Sequence, residues 1–377
     1  MASVFVFGLL ACGGGDADVD AGVAAMDAGG GGRADGGGLG VDGGLGCVVA
    51  LPVDLLFVID DSVSMAEEQN NLVINFPELF ETLTNPADDD GDGQPDNPPV
   101  EDLRIGFVST NMGVGSSTVS GCDATGDEGA LISSSRSPDP MCASVTTGDN
   151  PWLEYRAGDD VAALTQTFRC MAALGTGGCG LERQLDAARA ALVDRAAPGE
   201  PNEGFIRPDS LVGIVFVTDE DDCSAADDAI YDAASTATLG PYGTRCAEHP
   251  ELLTPIAEYL GAFDGLRLDR PNDVVVAAIT GVPFSSVMDP LDEDYEAVLM
   301  DSRMQFMRDT TRPGQLVPAC STTLTGSAIP ARRIVEVVRE FAETNDGLAT
   351  TICEDDLRPS MNAIARLVAR RVCPPPI

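Results

Sequence analysis

The apolar run from Val53 to Ile59, interrupted only by Asp54, drives straight into Asp60-Asp61-Ser62-Val63-Ser64. Seven residues are too few for a helix, and an apolar stretch without alternation reads as a strand buried on both faces. A second run, Leu211 to Thr218, ends in Asp219-Glu220-Asp221-Asp222. Further strands are expected at Leu103 to Thr110, Val274 to Ile279 and Gly347 to Ile352. Stretches of helical spacing alternate with them, and that alternation predicts an α/β fold: a doubly wound, mostly parallel sheet with helices on both faces.

Such a sheet leaves a crevice beyond the carboxyl ends of its strands, where ligands collect. One carboxylate and two hydroxyls at spacing two, Asp60, Ser62 and Ser64, suit a small hard cation there. Mg²⁺ takes an octahedron of oxygens and keeps several waters, so a few protein oxygens leave positions open to an incoming carboxylate. Asp219 supplies a second acid at a second strand end.

Together, Asp60-x-Ser62-x-Ser64 and Thr218-Asp219 resemble the metal-ion-dependent adhesion site of von Willebrand factor type A (VWA) domains. The resemblance runs in element order from about Cys47 to Cys373, and these two motifs carry it. It implies a VWA or Rossmann-like sheet holding Mg²⁺ or Mn²⁺, ligated by Asp60, Ser62, Ser64 and, often through water, Asp219. A threonine before the third helix normally completes the set. Thr176, in Gly175-Thr176-Gly177-Gly178-Cys179-Gly180, is the candidate, with Glu182 in the first turn of an expected helix Leu181 to Leu192 as the alternative ligand. The family reading is a binding module, not an enzyme, whose partner is a protein or peptide offering a carboxylate. The competing reading of Asp60-x-Ser62-x-Ser64 is a helix N-cap, since Asp and Ser satisfy the free amides of a first turn.

A net charge of −39, with 61 acidic residues against 22 arginines and no lysine, argues against nucleic acid as a partner. Without lysine, a phosphate-binding Gly-Lys-Ser/Thr loop, a Schiff base and a lysine base are all excluded. His249, the only histidine and followed by Pro250, reads as an ordinary surface residue. The chief enzymatic alternative is a haloacid dehalogenase-like, Mg²⁺-dependent phosphatase with Asp60 as nucleophile. Ser62 stands where its general acid belongs, and the acidic field repels an anionic substrate. A structural surface lipoprotein with purely stabilising cations is the third reading.

Residues 1–12 read as a lipoprotein signal peptide, since Leu9-Leu10-Ala11-Cys12 resembles a lipobox in which Cys12 is lipidated. Residues 13–46 hold 15 glycines in 34 positions, too little apolar surface to fold, and predict a tether of roughly 30 Å. Residues 47–377 then form the VWA-like domain, extracytoplasmic on an outer membrane or cell surface and attached only through its lipid. Setting Cys12 aside leaves ten of 11 cysteines, an even number suited to disulfides outside the cytoplasm. Sequence proximity suggests Cys122 with Cys142, Cys170 with Cys179, Cys223 with Cys246 and Cys320 with Cys353, leaving Cys47 and Cys373 to fasten the domain's ends.

Leu72, Phe76, Leu79, Phe80 and Leu83 recur at helical spacing, with Pro77 expected to kink or break the helix. Within 88–96, Asp88, Asp90, Asp92 and Asp96 with Gly93 at the sixth position resemble thrombospondin type 3 and EF-hand calcium loops, although Pro99 replaces the closing glutamate; a solvated acidic turn is the alternative. Residues 111–160 read as an irregular insertion with a short hairpin. Helices are expected at Val161 to Leu174, Tyr295 to Met307, around Ile334 to Phe341, and around Met361 to Val368.

Overall fold

In the computed structural model, which describes residues 50–373 apart from 89, 90, 92, 94, 96, 284–290, 292 and 323–325, both apolar runs are strands. They are β1 (Val53–Ile59) and β4 (Leu211–Val217), each buried at every position. Helix α1 (Ala66–Thr84) follows β1, then β2 (Asp102–Ser109) and a short edge strand β3 (Leu153–Arg156). Next come α2 (Val161–Ala172) and α3 (Gln184–Arg189), and β4 after them. The short helices α4 (Thr236–Leu239) and α5 (Tyr242–Glu248) precede α6 (Ile256–Asp264) and β5 (Val274–Thr280). Then α7 (Tyr295–Met300), a two-stranded ribbon of β6 (Cys320–Ser321) and β7 (Ser327–Ala328), α8 (Arg332–Ala342), β8 (Gly347–Thr351) and α9 (Arg358–Val372) complete the chain.

The main sheet has the order β3-β2-β1-β4-β5-β8, parallel throughout except for antiparallel β3. Strand order reverses direction between β1 and β4. Side chains alternate along β1: Leu55, Phe57 and Ile59 enter one core with Phe76 and Phe80 of α1, Phe168 of α2 and Ile364 of α9. Leu56 and Val58 enter a second core with Leu185 of α3, Tyr259 of α6, Leu299 of α7 and Val338 of α8. Helices therefore flank the sheet on both faces, which accounts for uninterrupted apolar strands.

Several expectations need correction. Helix α1 runs unbroken through Pro77, because packing of Phe76 and Phe80 against Phe168 and Tyr155 outweighs the loss of one intrahelical bond. The helix expected over Tyr295 to Met307 stops at Met300. Asp301 is extended there and turns its carboxylate onto the amide of Arg303. The helix expected from Leu181 begins only at Gln184, so Glu182 precedes it, and beyond Arg189 it widens into a π turn over Ala190–Asp194. The insertion 111–160 holds a short antiparallel pairing of Ser134 with Thr146, as the expected hairpin requires, and also contributes β3, which the sequence reading did not foresee.

Four disulfides are present among the described residues. Cys223–Cys246 and Cys320–Cys353 are those expected. The other two are exchanged: Cys122 pairs with Cys179 and Cys142 with Cys170. The insertion folds across the sheet edge rather than closing on itself, so proximity in sequence misleads. Cys373 is disulfide-bonded, while Cys47, Cys12 and the tether lie outside the described residues. No helix among the described residues is long and apolar enough to cross a membrane.

Candidate functional site

Parallel pairing in flush register, Ile59 opposite Val217, brings the two acidic strand ends side by side. The Asp60 amide donates to the Val217 carbonyl at 2.9 Å. Asp60 is completely buried. Its Oδ1 accepts the Ser62 amide at 2.8 Å and its Oδ2 the Thr218 hydroxyl at 2.7 Å. The hydroxyls of Ser62 and Ser64 lie 3.0 Å apart, and Ser64 donates to Oδ1 of Asp219 at 3.2 Å. Asp60, Ser62, Ser64 and Asp219 thus form one hydrogen-bonded set at the point where strand order reverses, the position at which open α/β sheets collect ligands.

The N-cap alternative fails on this geometry. Ser62 flanks a short 3₁₀ turn (Val63–Met65) and makes no side-chain cap, and neither does Met65 at the start of α1. The hydroxyls are directed to each other and to Asp219 instead.

Thr176 does not join the set. It is half-buried in the glycine loop ahead of α3, and the hydroxyl that reaches Asp60 belongs to Thr218. Thr218 is fully buried and also accepts from Gln184 Nε2 at 2.9 Å and the Glu220 amide at 3.1 Å. Gln69 of α1 ties the glycine loop to the site: its Nε2 donates to the carbonyls of Asp60 and Gly175, and its Oε1 accepts the Gly175 amide. The Gly178 amide donates to the Asp61 carbonyl at 2.7 Å. Sequence reasoning assigned no role to Gln69, Gln184 or the Thr218 side chain.

Burial dominates the electrostatics. It raises the Asp60 carboxyl above the usual aspartate range, against the opposing pull of the Thr218 and Ser62 hydrogen bonds. Asp219 is pushed up to about 9, first by burial and then by the charges of Asp60, Glu220 and Glu68. Glu182, almost inaccessible, is raised well above its ordinary value by burial and then by Glu220 and Asp60. Glu220 rises to about 7 by burial and Asp60, and Asp61 to about 7 by burial and the charges of Asp60 and Asp127. Among the described residues no arginine forms an ion pair with Asp60, Asp219, Glu182 or Glu220, whereas Asp222 is met by Arg333 at 3.0 Å. Dehydrated carboxyls without a cationic partner hold protons, or take up a metal ion that displaces them.

Among the described residues, no three His, Cys, Asp or Glu side chains are grouped to hold a metal ion by themselves. A cation at the strand ends therefore depends on the serine hydroxyls as well as Asp60 and Asp219. That all-oxygen donor set, with two carboxylates and two hydroxyls, fits a hard ion such as Mg²⁺ or Mn²⁺.

Of the calcium-loop residues, Asp88 accepts the amides of Gly91 at 2.8 Å and Gly93 at 2.9 Å. Gly93 has φ +89°, the left-handed turn expected at its position. Asp90, Asp92 and Asp96 lie outside the described residues. His249 Nδ1 lies 3.1 Å from Glu251 Oε1.

No protein-family model and no curated protein matches the chain. Among solved structures, it is similar to proximal thread matrix protein 1 from the mussel byssus, at 12% identity over 62% of this chain and 38% of that one, with a TM-score of 0.28. The PilB minor pilin from Streptococcus sanguinis is 11% identical over 86% and 62%, with a TM-score of 0.35. The human COPII-coat protein Sec24c is 14% identical over 63% and 27%, with a TM-score of 0.27. The chain spans less than two thirds of each of these proteins, and at such TM-scores none bears on its fold family or function.

Proposed function

We propose that residues 47–377 form a VWA-type, Rossmann-like binding domain. It takes Mg²⁺ or Mn²⁺ at Asp60, Ser62, Ser64 and Asp219 and uses the ion to capture a carboxylate of a partner protein or peptide. The observation that carries this reading is the continuous hydrogen-bonded run from Asp60 through Ser62 and Ser64 to Asp219, gathered at the switch in strand order. In the bound state the ion supplies the positive charge that these buried carboxyls lack. Asp60 and Asp219 anchor it, the two hydroxyls complete the protein's share, and Thr218 holds the Asp60 carboxylate in place.

The proposed site binds rather than catalyses: Ser62 stands where a phosphatase of this kind needs its general acid, and the net charge of −39 repels an anionic substrate. Four disulfides favour an extracytoplasmic location, in keeping with a lipid anchor at Cys12 and display at an outer membrane or cell surface. Ca²⁺ at 88–96 is a separate, stabilising part of the same proposal.

Isothermal titration of the disulfide-bonded chain with Mg²⁺ and Mn²⁺ tests the reading. Asp60→Ala abolishes uptake at the strand ends, and chelator and Asp60→Ala each abolish capture of the chain's acidic ligands. Ligand capture that survives both removes the metal from recognition.

A further inference from the structure

Beside the Asp60 set, whose charges reach Glu182 and Glu220, lies a small cavity of about 30 Å³ lined by Gly180, Glu182, Glu220, Tyr242, Phe306 and Ile329, among others. Glu182 is 1% exposed and its Oε1 has no hydrogen-bond partner. A Cβ built on Gly180 would find that oxygen at 3.9 Å, so it looks onto the Gly180 wall of the cavity. The Glu220 carboxyl shares a hydrogen bond with the Glu182 side chain, so Oε1 is the Glu182 oxygen left to the cavity.

The backbone around Glu182 is fixed. Its carbonyl accepts the Cys223 amide at 2.8 Å, and the next amide, of Arg183, donates to the Thr110 carbonyl at 3.1 Å. Disulfides leave from both sides, Cys179 to Cys122 and Cys223 to Cys246. The carboxyl is therefore held where it is rather than free to swing out to water. A buried carboxylate oxygen left unpaired is costly, and an arrangement this rigid is explained by an occupant that repays the cost.

Size selects the occupant. One water needs roughly 10 to 15 Å³ of such a cavity, so the space admits a single ion with a water. Asp221 and Asp222 also line the cavity but are engaged by Arg333; the two remaining carboxylates and water make an oxygen-only donor set, which suits Ca²⁺ or another hard cation.

We propose that Glu182 and Glu220 hold a second metal cation in this cavity, distinct from any ion held by Asp60 and Asp219. With only two carboxylates not already engaged by Arg333, the site binds weakly, in the roughly 0.1 to 1 mM range typical of extracellular calcium modules. The proposal does not require the adhesion reading, and the adhesion reading fails or stands on partner capture, a different measurement.

Terbium tests it, because Tyr242 lines the same cavity and sensitises emission from an ion placed there. On the full disulfide-bonded chain, Tb³⁺ gives tyrosine-sensitised luminescence that Ca²⁺ competes away. Glu182→Gln and, independently, the less buried Glu220→Gln each weaken Tb³⁺ binding at least tenfold, Tyr242→Phe dims the signal, and Asp60→Ala leaves it. Emission unchanged in both glutamine variants overturns the proposal. So does emission lost in Asp60→Ala but kept in Glu182→Gln, which assigns the ion to the Asp60 set.

Discussion

Replacing Asp219 by Asn separates stability from function at this site. In cation-free protein the Asp219 carboxyl is raised from 3.8 to about 9, and the residue is only 4% exposed. Its folded-state pKa lies above its unfolded value, so between these limits the native state carries the extra proton and stability falls as pH rises. The loss grows by about 1.4 kcal/mol per pH unit above 3.8, reaching about 2 kcal/mol at pH 5 and about 4 kcal/mol at pH 7. Asparagine keeps the shape and the acceptor for Ser64 but has no proton to lose. Asp219→Asn therefore melts higher than the parent in chelator at pH 7, by roughly 5 to 10 °C, with a gap that narrows toward pH 5. Saturating Mg²⁺ reverses the order, because binding to the native state adds RT ln(1 + [L]/Kd) to the parent alone. Differential scanning calorimetry from pH 5 to 8, with and without Mg²⁺, reads both effects. Parallel pH profiles for the two proteins in chelator would refute the burial argument, and a Mg²⁺ response retained by the variant would refute the role of Asp219 as a ligand.

Other perturbations probe the frame that holds the site. Arg207 closes the opposite end of the sheet, where Asp54 is fully buried and accepts from the Arg207 amide and Nε and from Ser210; Arg207→Met strands that carboxylate, and urea unfolding should show a loss of about 3 to 5 kcal/mol, whereas a loss under about 1 kcal/mol contradicts the pairing. At Gly178 an added Cβ would sit 2.1 Å from Asp61 Oδ1 and 2.8 Å from its carbonyl, so Gly178→Ala costs about 1 to 3 kcal/mol and speeds hydrogen exchange at the 178 amide. Non-reducing peptide mapping should recover Cys122 with Cys179 and Cys142 with Cys170; a Cys122–Cys142 peptide would contradict the path of the insertion.

The buried strands were legible because a parallel sheet covered on both faces demands unbroken apolar runs, and little else in a sequence produces them. Edge strand β3 was not, although Leu153 and Tyr155 are buried and Glu154 and Arg156 exposed. Four residues of alternation inside a Gly-, Ser- and Asp-rich insertion are too short a signal, and its pairing to β2 is set by tertiary contact. Disulfide partners failed where the chain folds over itself, as with Cys122 and Cys179, 57 residues apart. They held where an intervening excursion returns to its origin, as with Cys223 and Cys246.

The hydroxyl on Asp60 shows how local the missing information was. A glycine loop ahead of a helix pointed to Thr176, yet the two buried strands are each seven residues long and each is followed at once by a polar residue, Asp60 and Thr218. Flush parallel strands of equal length bring the residues just beyond them level, so Asp60 falls beside Thr218 and Asp219 follows within reach of Ser64. Thr218 is the only hydroxyl in a run that is otherwise apolar from Leu211. A buried hydroxyl needs a partner, and in a parallel sheet the neighbouring strand end is where it finds one. Equal run length was thus the signal for the residue that orients Asp60. It also makes a sharp demand: inserting an alanine between Val217 and Thr218 keeps the β1–β4 pairing and both cores but moves Thr218 and Asp219 one residue beyond the strand end, which should separate Thr218 from Asp60 and abolish cation uptake measured by titration. Uptake that survives such an insertion would mean that level strand ends do not build the site.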